Sequence, residues 1–342
     1  MTRSGPDAAG LTAKRLLARG GRPATVIKWL RATFRGGPTF SLLFLAIAMI
    51  CAVFAPVIAP YDPLKGSLRD AFLPPGISSH PLGTDNQGRD VLSRIIYGTR
   101  ISVTIGVLAV FVAGAVGTAV ALISGVFRGW ADRVLMRITD GFLSLPFLMV
   151  AVTIISMLGP SMLNVILVIG LFRWMGYARV LRGEVLRLTE MDFVRLARVA
   201  GVSRGRIIVR HIFPNILNTL LVLGTLEVGV AVIAEAGLSF LGLGIPKPLP
   251  SWGTMLAESQ QYLWTAWWLP LIPGIAISLL VMSFNLTGDW LCDRFDPTRR
   301  QLALGIPSYR RSSREERALL TRGAAFVGRV GHAVLSLYRG MR

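Results

Sequence analysis

The sequence predicts an all-α membrane protein with six transmembrane helices, and three observations predict it. The 342 residues are 53% hydrophobic and 16% charged, with a mean hydropathy of +0.58, too apolar for a soluble domain of this length. The apolar residues gather into charge-free runs, Ser41–Ala59, Ile101–Phe127, Gly141–Phe172 and Leu263–Gly288, with a fifth after His211 broken only by Glu227 and Glu235. Between the runs lie blocks of Arg and Lys that fall unevenly on the two sides the runs define.

Residues 1–40 alternate Arg or Lys with apolar residues and suit a basic amphipathic helix on an anionic membrane surface; the basic tail 291–342 repeats the pattern from Ser312 to Arg342. The first span, 41–59, begins too late for a signal-peptide core and is long enough to remain as an anchor. After it, the polar stretch HPLGTDNQGRDVLSRIIYGTRISV, His80–Val103, is dense in turn formers and reads as a folded cap preceding the second span, 101–127. Gly141–Phe172 is too long for one span of about 20 residues. Its central Gly159-Pro160-Ser161 divides it, giving spans at 136–158 and 162–181. The fifth and sixth spans are 214–238 and 268–290. Between them LSFLGLGIPKPLPSWGTML is too rich in Gly and Pro for a regular helix and too apolar to stand in water, so it should pack into the mouth of the bundle. The six-span core is thus 41–290.

With both termini cytoplasmic, the segments on that side hold 31 of the 37 Lys and Arg, and the opposite side holds six. The positive-inside rule accounts for the net charge of +19 without nucleic acid. Cys51 and Cys292 form no disulfide framework, and His80, His211 and His332 share no ligand spacing, so neither a metal nor any other cofactor is expected.

The most informative segment is the long polar loop 183–214, GEVLRLTEMDFVRLARVAGVSRGRIIVRHIFP. Asp192 suits an N-cap for a helix over 193–200, Gly201 a stop, and Ser203 a cap for a second helix through Arg210, with Pro214 in the first turn of the next span. Small and apolar residues on both helices make a compact knob that another protein's groove could hold. Among polar residues within the spans, Arg173 should snorkel towards the inner surface. Glu235 should cap backbone amides of the LSFLGLG loop, and Glu227, deeper, should line a path or pack helices.

The loop resembles the EAA loop of ABC-type import permeases: Arg195-Leu196-Ala197, then Gly201 after three intervening residues, then His211-Ile212-Phe213-Pro214 after nine more. The leading Glu and first Ala of that pattern are absent. The wider chain resembles the second permease subunit of dipeptide, oligopeptide and nickel importers, through HPLGTDNQGRDVLSRIIYGTRISV, Arg137 with Asp140 and Pro146, WMGYARVLR, RIIVRHIFPN, LSFLGLG, PSWG and GDWLCDRFDP. The resemblance implies a type I ABC importer permease in a bacterial inner membrane. Its partners would be a homologous permease subunit, two ATP-binding subunits and an extracytoplasmic substrate-binding protein. It implies coupling to the ATPases through Arg195, Leu196, Ala197, Gly201, Val202, Ser203, Ile207, His211 and Pro214, with Glu227 and Glu235 as pathway residues. No phosphate-binding GxxxxGK[ST] loop occurs, so ATP hydrolysis belongs to the partners. The substrate would be a peptide or similar solute, alternatively nickel or another small solute. A secondary transporter would instead show inverted repeats and several intramembrane carboxylates.

Overall fold

A computed structural model of the chain describes residues 38–76 and 79–295. The amphipathic reading of residues 1–37 and of the tail beyond 295 lies outside them. The described residues form helices α1 (Thr39–Ile58), α2 (Val91–Phe127), α3 (Gly129–Leu143), α4 (Phe147–Leu158), α5 (Met162–Thr189), α6 (Asp192–Val199), α7 (Arg204–Ile207), α8 (Phe213–Phe240), α9 (Trp252–Ser259) and α10 (Trp268–Phe295). Five stretches are long and apolar enough to cross a membrane: α1, α2, α5, Arg204–Phe240 and Trp268–Arg294. The pair α3 and α4 passes the same test only jointly, bent by 87°.

That bend corrects the continuous span expected over 136–158. Pro146, φ −66° and ψ 114°, stands at the N-cap of α4, where its missing N–H costs nothing, but a helix arriving from α3 cannot run through it. The break at Gly159 falls where the Gly-Pro-Ser signal put it, and Ser161 then caps α5 by accepting from the Asn164 amide at 3.1 Å.

α2 starts at Val91, not near 101. Asp90 caps it, accepting from the Ser93 amide at 2.8 Å, so the last part of the supposed cap is helix. The 237–267 segment also contains more helix than expected. α8 runs on to Phe240, and Ser251 with Thr254 closes a capping box that starts α9.

The core is built around α2, which packs along α5 and α8 and carries α1 on its other flank. Glycine lets α2 and α5 come close: a Cβ on Gly117 would lie 2.4 Å from the Tyr177 Cβ, and one on Gly125 would lie 2.5 Å from a Val185 methyl. Buried Ile105, Ala109, Val165, Ile169 and Ala231 fill the layer where α2, α5 and α8 meet. α1 also displays Leu43 and Val57, the latter 82% exposed, as a face turned to lipid does.

Two polar ends frame this bundle. At one, the cap end, the loop before α2 packs against α9. At the other, the knob end, α6 and α7 project beyond α5 and α8.

Candidate functional site: the knob and the buried charges

The knob grows directly from two long helices. α5 continues past Gly183 to Thr189, seven residues into the loop the sequence suggested. Met191, φ −69° and ψ 145°, turns the chain into α6, and Asp192 occupies the first helical turn, where its charge favours the helix dipole, without capping it. α6 ends in a Schellman turn: the Gly201 amide bonds to the Arg198 carbonyl at 3.1 Å and the Val202 amide to that of Ala197 at 3.1 Å. This closure needs a left-handed residue, and Gly201 supplies φ +77°. Ser203 stands at the N-cap position of α7, but its side chain makes no cap bond.

The second knob helix is not separate. α7 passes through a π turn, Ile208–Ile212, into α8, and the Phe213 amide bonds five residues back to the Ile208 carbonyl. Pro214 has no N–H to give and would clash in a regular α-turn; the wider turn before it absorbs both problems and keeps Arg204–Phe240 one continuous rod.

Inside the knob Val194, Ile207 and Ile212 are buried with Val185 and Leu188 of α5 and Ile216 of α8. Ile207, only 3% exposed, therefore anchors the knob and does not present itself to a partner. Arg195, Leu196, Gly201, Ser203 and Pro214 are exposed, and Ala197, Val202 and His211 half-buried. The His211 ring lies 6.2 Å from that of Phe193. The surface around the turn also includes Val199, 87% exposed, and Val209, 70% exposed, which the sequence reading passed over. Val199 follows Leu196 by three residues, so the two share a helix face, and that spacing was available as a signal.

Arg195, the departure from the EAA pattern, has its contact in the structure. It donates to Glu190 at 2.6 Å, and the other Glu190 oxygen accepts from Arg128 at the α2–α3 elbow. Arg128 donates as well to the Thr189 hydroxyl at 2.8 Å. The Arg195 bond first, then that of Arg128, holds the Glu190 carboxyl well below its ordinary range, at about 2. A carboxylate is thus retained beside position 195, supplied from five residues upstream.

The two intramembrane glutamates part company: Glu235 lacks the loop amides expected for it, whereas Glu227 packs two helices together, one of the two roles expected. Glu235, wholly buried, accepts from three serine hydroxyls and no loop amide: Ser239 at 2.7 Å, Ser251 at 2.9 Å and Ser102 at 3.2 Å. It fastens α8 to α2 and to the start of α9, inside protein and not on an open path. Glu227 takes the Arg173 Nε at 2.7 Å, so Arg173 does not snorkel but closes an ion pair between α5 and α8.

At the cap end, four charges, three of them from the His80–Val103 stretch, form a buried network that the exposed Lys247 joins at its edge. Asp85 accepts from the Arg89 Nε at 2.7 Å and from Arg94; Glu258 of α9 accepts from Arg94 at 2.8 Å, Arg89 at 3.1 Å and Lys247 at 3.3 Å. Burial pushes the Glu258 carboxyl up, but Arg94, by its charge and bond, and then Arg89 and Lys247, outweigh that and leave it below the ordinary value. Among the described residues no group of three or more His, Cys, Asp and Glu could hold a metal ion.

The described residues thus form an apolar, multi-pass helical bundle that ends in a polar knob closed at Gly201, the build of an integral membrane protein. Residues 117–301 match the family model described as binding-protein-dependent transport system inner membrane component, and the chain belongs to that family. It is 38% identical over 281 residues to the di/tripeptide transport system permease protein of Pseudomonas aeruginosa, covering 80% of this chain and 92% of that one. It is 39% identical to a putative peptide transport system permease protein of Brucella suis, over 84% of this chain and 91% of that one. It is also 37% identical to the glutathione transport system permease protein of Pectobacterium atrosepticum, over 75% and 85%. The chain is accordingly a permease subunit of an ABC-type transport system, not an enzyme in itself.

Proposed function

We propose that this permease imports short peptides or peptide-like solutes across a bacterial inner membrane. It pairs with a homologous permease, receives substrate from an extracytoplasmic binding protein, and is driven by two ATPase subunits docked at the knob. The bent α3–α4 pair counts as the third of six spans, and both termini with the knob are cytoplasmic. The charge distribution supports this orientation, because the knob end carries Arg187, Arg195, Arg198, Arg204, Arg206 and Arg210.

The observation that carries the coupling role is the construction of the knob. Its inner residues are locked to α5 and α8, while Leu196, Val199 and Gly201 stand free at its tip. Because α7 is continuous with α8, a push on the tip acts on a rigid rod through the membrane and not on a slack loop. ATPase closure can then tilt α5 and α8 together. The docking set therefore centres on Arg195, Leu196, Ala197, Gly201, Val202 and Ser203, with His211 and Pro214 at its edge and Ile207 as internal support.

Ala197→Arg and Gly201→Asp test this in proteoliposomes containing all subunits. The expected result is normal membrane insertion, ATP hydrolysis no longer matched by peptide uptake, and uptake reduced at least about tenfold, as for a misplaced coupling element. Undiminished uptake by either variant contradicts the assignment.

A further inference from the structure

Three arginines of α5 each meet a carboxylate of a neighbouring helix. Arg173 meets Glu227 of α8, Arg179 meets Asp140 of α3 at 2.5 Å, and Arg182 binds both oxygens of Asp132 at 2.5 and 2.7 Å. At 1.5 Å rise per residue the rungs descend α5 in steps of about 9 and about 4.5 Å towards the knob. The topmost is the deepest in the membrane. Pro160, just before α5, and Ser239 and Phe240, at the end of α8, line one cavity, so these helix ends share a level. From that level Arg173 and Glu227 lie about 17 and about 20 Å down, near the middle of a hydrocarbon core about 30 Å thick.

This central pair is not sealed. The Arg173 side chain is 34% exposed and that of Glu227 19% exposed, although each satisfies the other. Below them Gly176, Val180 and Gly183 are exposed on α5, and a Cβ on Gly176 or Gly183 would meet nothing within 4 Å. Exposed charges at this depth are stable against protein or a water-filled path, whereas lipid would cost several kcal/mol. The pair also contrasts with Glu235, whose carboxylate is wholly enclosed by hydroxyls.

We propose that the Arg173–Glu227 pair is a mid-membrane binding site for short peptides with both termini free. This deepens the importer reading above and rests on it. The Arg173 guanidinium would take the peptide's α-carboxylate and the Glu227 carboxylate its α-ammonium. Exchanging one internal ion pair for two intermolecular ones leaves no charge uncovered, which offsets much of the cost of desolvating a zwitterion. A peptide blocked at both ends offers neither exchange and leaves the internal pair closed. Such a site reads the backbone termini common to all short peptides and is indifferent to side chains.

The test uses the complete complex in vesicles, with Gly176→Cys placed in a Cys51→Ser, Cys292→Ser background. The probe is the tripeptide Ala-Cys-Ala activated as a pyridyl disulfide, added in the presence of ATP and the binding protein. The introduced thiol should capture the probe. Trialanine should compete, and N-acetyl trialanine amide should compete at least about tenfold less well. Adding Arg173→Gln with Glu227→Gln, which keeps hydrogen-bonding side chains of similar size, should abolish that difference. Equal competition by free and blocked peptides overturns the site. So does reaction of the thiol only with a lipid-soluble maleimide, or only with the partner permease. ATP-driven uptake of trialanine by the parent complex in the same vesicles separates the two hypotheses: its absence sinks the importer reading, whereas uptake without the competition difference sinks the site alone.

Discussion

The cap end and the knob end are both held by arginine–carboxylate networks, yet the two are built to opposite specifications. At the cap, the side chains of Arg89, Arg94 and Asp85 are at most 8% exposed and Glu258 is 17% exposed. At the knob, Arg128, Glu190 and Arg195 are 47 to 60% exposed. A buried network fixes geometry, because removing any member strands a charge; an exposed one biases geometry weakly and is screened by salt. The bundle is therefore clamped firmly at the cap and only lightly clasped where the knob meets the α2–α3 elbow. That difference suits the lever role proposed above for the knob.

The largest effect should follow from breaking the cap. Arg94→Ala leaves Asp85 and Glu258 buried with one guanidinium fewer, and should cost about 3–5 kcal/mol of stability, seen as a large fall in the thermal unfolding midpoint of the purified subunit complex. A loss below about 1 kcal/mol would mean that the cap is no tighter than a surface pair. Next in size is Glu235→Ala, which leaves the hydroxyls of Ser102, Ser239 and Ser251 without their acceptor in the bundle. It should cost about 1–3 kcal/mol by the same measurement, with Glu235→Gln milder.

At the knob the expected effects are smaller and local. Gly201→Val forces a branched residue into the left-handed region at about 1–2 kcal/mol, whereas Gly201→Asn should be nearly silent because Asn tolerates that conformation. Amide exchange at Gly201 and Val202 should rise for the Val variant only. Smallest is the Glu190 clasp. Its folded-state pKa is depressed, so its contribution is fully present above the ordinary carboxylate value and fades as pH falls from there towards about 2. Glu190→Gln should leave global unfolding unchanged at neutral pH while raising amide exchange in α6. A marked global destabilisation would place the knob with the cap in the rigid class.

The sequence revealed what local chemistry encodes. Charge-free runs located the five long apolar helices, Gly159-Pro160 located one helix break, and Gly201 was readable as a left-handed stop because few other residues serve there. It missed the bend before Pro146, since the apolar run continues through it and the apolar count carries no direction. It also split the rod at Pro214, because a π turn leaves no mark that distinguishes it from a helix end. Neither the Arg173–Glu227 pair nor the Arg94–Glu258 pair could be seen, as their partners stand 54 and 164 residues apart and meet only when the helices pack. The resemblance to the EAA loop picked out candidate docking residues on the knob, but it could not sort them by burial: Ile207 lies inside, while Val199, outside that set, is exposed.

That division gives the most direct measurement of the central claim. A photoreactive side chain introduced in turn at Leu196, Val199 and Ile207, in the intact complex in native membranes, should form an adduct with the ATPase subunit from the first two positions. Ile207 should give none, and the adduct yield should change when ATP is bound. Adducts of equal yield from all three positions, or none with the ATPase from Leu196 and Val199, would contradict a knob whose exposed tip docks and whose buried base transmits.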